Sequence, residues 1–216
     1  MLKTAKFVVG NFGTNCYFLY DPDNMRSFVV DPGYDFELLE KTINERGFKV
    51  EAILLTHAHF DHIMALKALK EYTSAPVYLH EDEAEMLSDP QMNMTDRYGD
   101  PQNCITPDRL LKDGDILKLA DDEIKVMHTP GHTPGSCCYI TGGVMISGDT
   151  LFLENIGRYD FPGGNYKILR NSLSKISALD RDYRILPGHG PSTTLSHEKQ
   201  FTIYVPYRGH TWLTMH

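Results

Sequence analysis

Within six residues, His57-Ala58-His59-Phe60-Asp61-His62 gathers three imidazoles and a carboxylate. His57 and His59 alternate along an extended segment and can face one way, while Asp61 and His62 can turn toward a second point nearby. Imidazole mixed with carboxylate suits zinc, iron or manganese rather than calcium, which prefers oxygen alone. His132, Asp149 and His189 share a second design, each standing just beyond a short apolar run. Gly131, Gly148, Gly188 and Gly190 lie beside these candidates and permit unusual backbone angles and close approach. The donors together exceed the four places around one tetrahedral ion and suit two ions about 3.5–4 Å apart. Asp149, an aspartate alone between two histidine sets, is the natural bridge. A lone histidine is most often a surface or core residue. The HxHxDH frame arises by chance in only on the order of one or two chains per thousand, which favours a metal site.

The elements that must hold these residues are legible as apolar runs between turns. Phe7–Val9, Cys16–Tyr20 and Ser27–Val30 read as strands, with Asp-Pro turns at Asp21-Pro22 and Asp31-Pro32. Phe36–Arg46 has a helical period and stops at Gly47. Ala52–Thr56 is a strand buried on both faces that feeds the histidine cluster. Ile63–Tyr72 reads as one helix, Val77–Leu79 as a strand, and Glu81–Leu87 as an acidic helix. The polar stretch Ser88–Pro107 reads as a long surface loop able to border a site. Strands at Ile124–Met127, Cys137–Ile140, Val144–Ile146 and Arg184–Leu186, with an amphipathic helix at Tyr166–Leu179, complete one strand-rich α/β domain over residues 1–216.

Composition excludes several classes. Net charge is −8 over 216 residues, which argues against a nucleic-acid backbone as the main partner. No apolar run approaches the ~18 residues of a membrane helix, and the N-terminus lacks a signal-peptide core. Cys16, Cys104, Cys137 and Cys138 form no CxxC pair, and adjacent Cys137 and Cys138 would face opposite sides of a strand. Reduced thiols in a cytoplasmic protein are expected. Among the other histidines, His80 fits a helix start and His128 a supporting or structural place. His197, His210 and His216 fit solvent-exposed positions near the C-terminus.

With Thr129-Pro-Gly-His132-Thr-Pro-Gly135, Gly148-Asp149-Thr-Leu-Phe152 and Pro187-Gly-His189-Gly190 added to the first motif, the chain resembles the metallo-β-lactamase superfamily. More narrowly it is similar to small glyoxalase II-like (hydroxyacylglutathione hydrolase-like) members, over roughly Phe7 to Lys199. The resemblance implies a four-layer αββα sandwich of two mixed β-sheets, with the metals at one edge. It implies that His57, His59 and His132 hold one ion and Asp61, His62 and His189 the other, with Asp149 between. Gly157-Arg158-Tyr159-Asp160-Phe161-Pro162-Gly163-Gly164 resembles the family's GRxDxxGG stretch, where an Arg158–Asp160 contact can steer a loop as readily as touch substrate. Full-length glyoxalase II has a C-terminal helical domain that helps hold glutathione. Only 27 residues follow His189 here, and Phe201–Arg208 departs from the family's usual ending.

The expected function is binuclear hydrolysis of a small-molecule thioester of the hydroxyacylglutathione type by a metal-bridging hydroxide. Two divalent ions serve as cofactors: zinc is expected, and iron or manganese is compatible with the donors. Asp61 is the candidate for orienting the nucleophile. Arg158, Tyr159 and Tyr166 are candidates for binding the acyl or carboxylate end. A thiol leaving group, with an ordinary pKa near 8.5, departs without a dedicated acid, which ranks thioesters above lactams and amides. The alternatives are a mononuclear iron persulfide dioxygenase and a hydrolase of another ester, lactone or amide. A flavo-diiron oxidase would need a glutamate at His59 and a flavin domain, and a nucleic-acid processor would need a basic surface.

Overall fold

The computed structural model describes residues 1–100 and 105–202. The first half of the chain runs β1 (Lys3–Val9), β2 (Thr14–Tyr20), β3 (Arg26–Val30), α1 (Phe36–Arg46), β4 (Lys49–Leu54), α2 (Phe60–Ile63) and α3 (Leu66–Thr73). It continues through β5 (Val77–His80), α4 (Ala84–Ser88), α5 (Thr95–Tyr98) and β6 (Arg109–Leu111). The second half runs β7 (Ile116–Leu119), β8 (Asp122–His128), β9 (Cys137–Thr141), β10 (Val144–Gly148), β11 (Leu151–Phe152) and β12 (Asn155–Ile156). It ends with α6 (Tyr166–Ser177), β13 (Arg184–Pro187), β14 (Thr193–Thr194) and α7 (Leu195–Phe201).

Period-two alternation builds the layers. Along β2, Cys16 and Phe18 face an outer core shared with Leu39 and Ile43 of α1 and Leu66 and Leu69 of α3. Tyr17 and Leu19 face the opposite way, into an inner core shared with Ile124, Val126 and Tyr139 of the second sheet. A third core packs Leu169, Leu173 and Ile176 of α6 on the far face of that sheet. Adjacent Cys137 and Cys138 fall into the inner and third cores, so they do face opposite sides, and with Cys16 they are free thiols. Cys104 lies outside the described residues.

The result is helices outside two packed mixed sheets, as the family resemblance implied. One sheet has the order β1-β2-β3-β4-β5-β6 and the other β14-β13-β10-β9-β8-β7. The first is antiparallel at β1–β2–β3 and parallel from β3 to β6. The second is antiparallel except where β10 runs parallel to β13. No helix among the described residues is long and apolar enough to cross a membrane.

Two local expectations fail for identifiable reasons. Ile63–Tyr72 is not one helix, because the Ala65 N–H donates to Pro32 O at 3.0 Å and leaves the helical ladder between α2 and α3. The stretch after Ser88 is not plain loop either. Asn93 Oδ1 accepts from the Thr95 N–H and hydroxyl (3.0 and 2.7 Å) and starts α5. The Phe60 N–H donates to Asn93 O at 2.9 Å, so this segment does border the histidine cluster.

Candidate metal centre

Both sheets contribute to one edge. After β4, buried Leu55 and Thr56 lead into His57 and His59, and α2 carries Asp61 and His62. His132 follows β8, Asp149 follows β10 and His189 follows β13. The second sheet's loops are tied to the first. Asn15 Nδ2 donates to Pro187 O and Gly190 O (2.8 and 2.9 Å), Tyr17 Oη donates to Pro187 O (2.7 Å), and Tyr139 Oη donates to Leu55 O (2.7 Å).

Three ring nitrogens converge. His132 Nε2 lies 2.9 Å from His59 Nδ1 and 3.3 Å from His57 Nε2. Partners on the opposite ring atoms fix which nitrogens carry lone pairs. His132 Nδ1 donates to Arg158 O at 2.6 Å. The Thr56 hydroxyl gives its proton to Asp31, so its oxygen accepts from His57 Nδ1 at 3.1 Å. His57 Nε2 and His132 Nε2 therefore face each other with lone pairs, which is repulsive unless a cation lies between them. Zinc–nitrogen bonds of about 2.0–2.1 Å put tetrahedral donors about 3.3–3.4 Å apart, close to the spacing of this pair.

A second set adjoins the first. His189 Nε2 is 3.1 Å from Asp61 Oδ2, and His62 Nε2 is 3.9 Å from the same oxygen. Asp149 Oδ2 is 3.6 Å from both His132 Nε2 and His189 Nε2, and Asp149 Oδ1 is 3.5 Å from His62 Nε2. Its carboxylate thus touches both groups. His62 Nε2 and Asp149 Oδ1 are buried atoms with no hydrogen-bond partner, a costly condition that ligation would relieve. The donor set and these orphaned atoms fit a pair of divalent ions. Close packing requires glycine at 188, where a Cβ would overlap Asp149 Oδ1 and crowd His62 Cε1. Gly148 holds φ +50 against Thr56.

The sequence reading missed the supporting shell. Asp31, read as part of an Asp-Pro turn, is buried in the left-handed region at φ 54. Its carboxylate accepts from the Thr56 N–H (2.7 Å), the Thr56 hydroxyl (2.6 Å) and His62 Nδ1 (3.0 Å). Glu83, wholly buried, accepts from the Ala58 N–H (2.8 Å) and the Gly135 N–H (2.7 Å). It therefore joins the loop of His57 and His59 to the loop of His132. Neither residue carries a motif. The only signal was an acidic side chain soon after a buried strand, Asp31 next to β3 and Glu83 three residues beyond β5.

Electrostatics separates the two sets. Burial, with mutual repulsion among the rings, drives His57 and His59 well below the usual histidine range, and burial lowers His132. His62 is buried too, but Asp149, Asp61 and Asp31 overcome that and hold it well above the usual range. His189 is raised against burial by its hydrogen bond to Asp61 and the charge of Asp149. Asp149 is held well below the carboxylate range, the His62 charge overcoming burial. Burial pushes Glu83 up to about 7 despite its backbone donors.

A cleft of about 750 Å³ opens over His59, Asp61, His132, Asp149 and His189. Arg158 reaches its rim but grips Asp160 with two bonds of 3.0 and 2.8 Å and lies over the Phe161 ring. Tyr159 and Tyr166 pack on each other at 4.9 Å and do not line the cleft. His80 accepts from the Asp82 N–H (3.3 Å), as a helix-start residue does, and its ring stacks on His128 at 3.8 Å and 13°. Parallel rings cannot aim two in-plane lone pairs at one ion, so His80, Asp82 and His128 are not a second metal site in this arrangement. His197 is half-buried rather than exposed, bonded to Glu154 and stacked on Phe201. His210 and His216 lie outside the described residues.

Residues 9–189 match the family model of the metallo-beta-lactamase superfamily. The chain belongs to that superfamily. Hydroxyacylglutathione hydrolase GloC of Haemophilus influenzae is 35% identical over 88% of this chain and 91% of its own. Among solved structures, BLEG-1, a B3 metallo-beta-lactamase, superposes with a TM-score of 0.86 at 37% identity, covering 94% of this chain and all of its own. TTHA1623, solved in a di-iron-bound form, gives 0.82 at 34% identity over 92% and 98%. The superfamily member described here is thus a metal-dependent hydrolase by kinship, with clustered histidines and aspartates where two ions would sit.

Proposed function

We propose that this protein is a two-metal thioester hydrolase. The observation that carries the reading is the Asp149 carboxylate set between His132 on one side and His62 and His189 on the other, in contact with both donor sets. His57, His59 and His132 would hold one ion, Asp61, His62 and His189 the other, and Asp149 both. Two ions so held would lower the pKa of a shared water from 15.7 toward ~7, supplying hydroxide at neutral pH.

The chain's own residues do the positioning. Asp31 fixes the His62 ring through Nδ1, and Arg158 O fixes His132, so each presents a lone pair at Nε2. The Thr14 hydroxyl donates to Asp61 Oδ2 at 3.3 Å, orienting a carboxylate that can also accept a proton from the attacking water. Apart from the donor set, Tyr98 and Arg158 are the titratable side chains lining the cleft among the described residues, and Arg158 is committed to Asp160. A leaving group that departs as an anion fits this supply of protons, which favours a thiolate over an amine. Kinship with GloC supports the same choice. Zinc fits the mixed nitrogen and oxygen donors, and the di-iron form of TTHA1623 makes iron the rival metal.

The test is metal content by emission spectroscopy alongside hydrolysis of S-lactoylglutathione. Two metals per chain with turnover is expected. One iron per chain with oxygen uptake on a persulfide would replace this reading with a dioxygenase.

A further inference from the structure

The walls of the cleft differ in character from its floor. On one side stand three rings from three separate segments: Phe12 in the turn between β1 and β2, Phe60 at the start of α2, and Tyr98 at the end of α5. Phe12 meets Phe60 edge-on at 4.9 Å, Phe60 lies 5.2 Å from Tyr98, and Phe12 lies 6.4 Å from Tyr98. Phe12 and Tyr98 remain 51% and 53% exposed, though tight turns ordinarily carry small polar residues. Phe60 stands between His59 and Asp61, so a group packed on this wall lies beside the reacting centre. The β11–β12 hairpin lines the same cleft with Phe152, Leu153 and Ile156. That hairpin is tied to α7, because the Glu154 N–H donates to buried Glu198 at 3.0 Å. Among the described residues the one cation on the rim is Arg158, which is paired with Asp160 and lies over the Phe161 ring.

From this juxtaposition we infer that the substrate carries an aromatic or extended apolar arm beside its scissile carbonyl, packed against the Phe12–Phe60–Tyr98 wall and the β11–β12 hairpin. The inference rests on the thioesterase reading and narrows it. Small hydroxylated acyl groups such as lactoyl leave both walls wet. A phenylacetyl or octanoyl group removes apolar surface from water on each of them. Among the described residues the rim offers a charged carrier no cation that lacks a carboxylate partner.

The experiment uses the two-metal protein and thioesters of N-acetylcysteamine bearing acetyl, lactoyl, octanoyl and phenylacetyl groups. A second series holds the acyl group at acetyl and varies the thiol from N-acetylcysteamine to benzyl mercaptan, which shows on which side of the carbonyl the arm sits. An apolar arm should raise kcat/KM about tenfold or more in one series, in line with the 10–200-fold that a methylene earns in an apolar pocket. In Phe12→Ala and Tyr98→Ala, with metal content and circular dichroism unchanged, that ratio should fall at least about fivefold, since each ring supplies part of the buried apolar contact. Equal or better turnover of lactoyl and acetyl thioesters in both series overturns the inference and leaves the thioesterase intact. Binding is read separately with thioethers that cannot be hydrolysed, S-phenacyl against S-acetonyl N-acetylcysteamine, by calorimetry. If no thioester is turned over, tighter phenacyl binding that Phe12→Ala abolishes keeps the apolar arm and sinks the thioesterase reading. Equal binding of the two sinks both.

Discussion

Asp31 makes three hydrogen bonds from a backbone conformation that non-glycine residues seldom adopt, and all three serve His57 and His62. Replacing it, Asp31→Ala, frees the His62 ring to rotate and lets either ring nitrogen carry the proton. Metal affinity measured by competition with a chelator should fall about 10–100-fold, the usual cost of losing a ligand's orienting partner. Unchanged affinity would show that packing alone sets the ring. The candidate ligands were legible because His57, His59, Asp61 and His62 sit in one short frame, and the other three stand beside glycines. Asp31 was not legible. It lies 25 residues from Thr56 and 31 from His62, and an aspartate before a proline is an ordinary turn signal. Phe12 and Tyr98 were hidden for the same reason, since only the folded chain brings them to Phe60.

Among the elements, the long apolar runs were the readable ones. α1 occupies the predicted Phe36–Arg46 because its apolar period and Gly47, at φ 69, agree. The two-residue pairs β11–β12 and the β14 edge have too few residues to show alternation. β7 does alternate, with Leu117 and Leu119 buried and Ile116 exposed, but its four residues were too short to stand out. Loops and the short α2, rather than strands, carry the candidate ligands, and Glu83 is what joins two of those loops. Its carboxyl titrates near 7 in the fold and near 4.5 when unfolded, so the native state holds the proton more tightly. Its contribution to stability is therefore full below about pH 4.5 and is lost as pH rises through about 7. In Glu83→Gln the amide can accept from only one of the Ala58 and Gly135 N–H groups, so the variant should lose about 1–3 kcal/mol at pH 5. That deficit should shrink toward pH 8, by up to about 3 kcal/mol, as the native carboxylate becomes charged. Urea unfolding of the chelated proteins at both pH values measures it, and a deficit that grows with pH would refute the assignment.

At the scale of the molecule, each proposed ion draws donors from both sheets: His57 and His59 with His132, and Asp61 and His62 with His189. Metal loading should therefore stabilise the whole fold rather than one loop. At about 100 times Kd a ligand adds about 2.7 kcal/mol, and about 1 kcal/mol shifts Tm by roughly 2–4 °C at this size. Scanning calorimetry with and without chelator should show a fall of about 5–10 °C for each ion removed, reversed by zinc. No shift would show that the native fold holds no ion under these conditions. The chain also visits the sheets in turn, not alternately: β1 to β6 form the first sheet and β7 to β14, apart from the β11–β12 hairpin, the second. A cut in the short connection between Leu111 and Ile116 would release two pieces, each with a full set of strand partners and neither with a complete set of donors. Such halves would recognise one another through the inner core, and divalent metal would act as the rivet that makes their reunion selective.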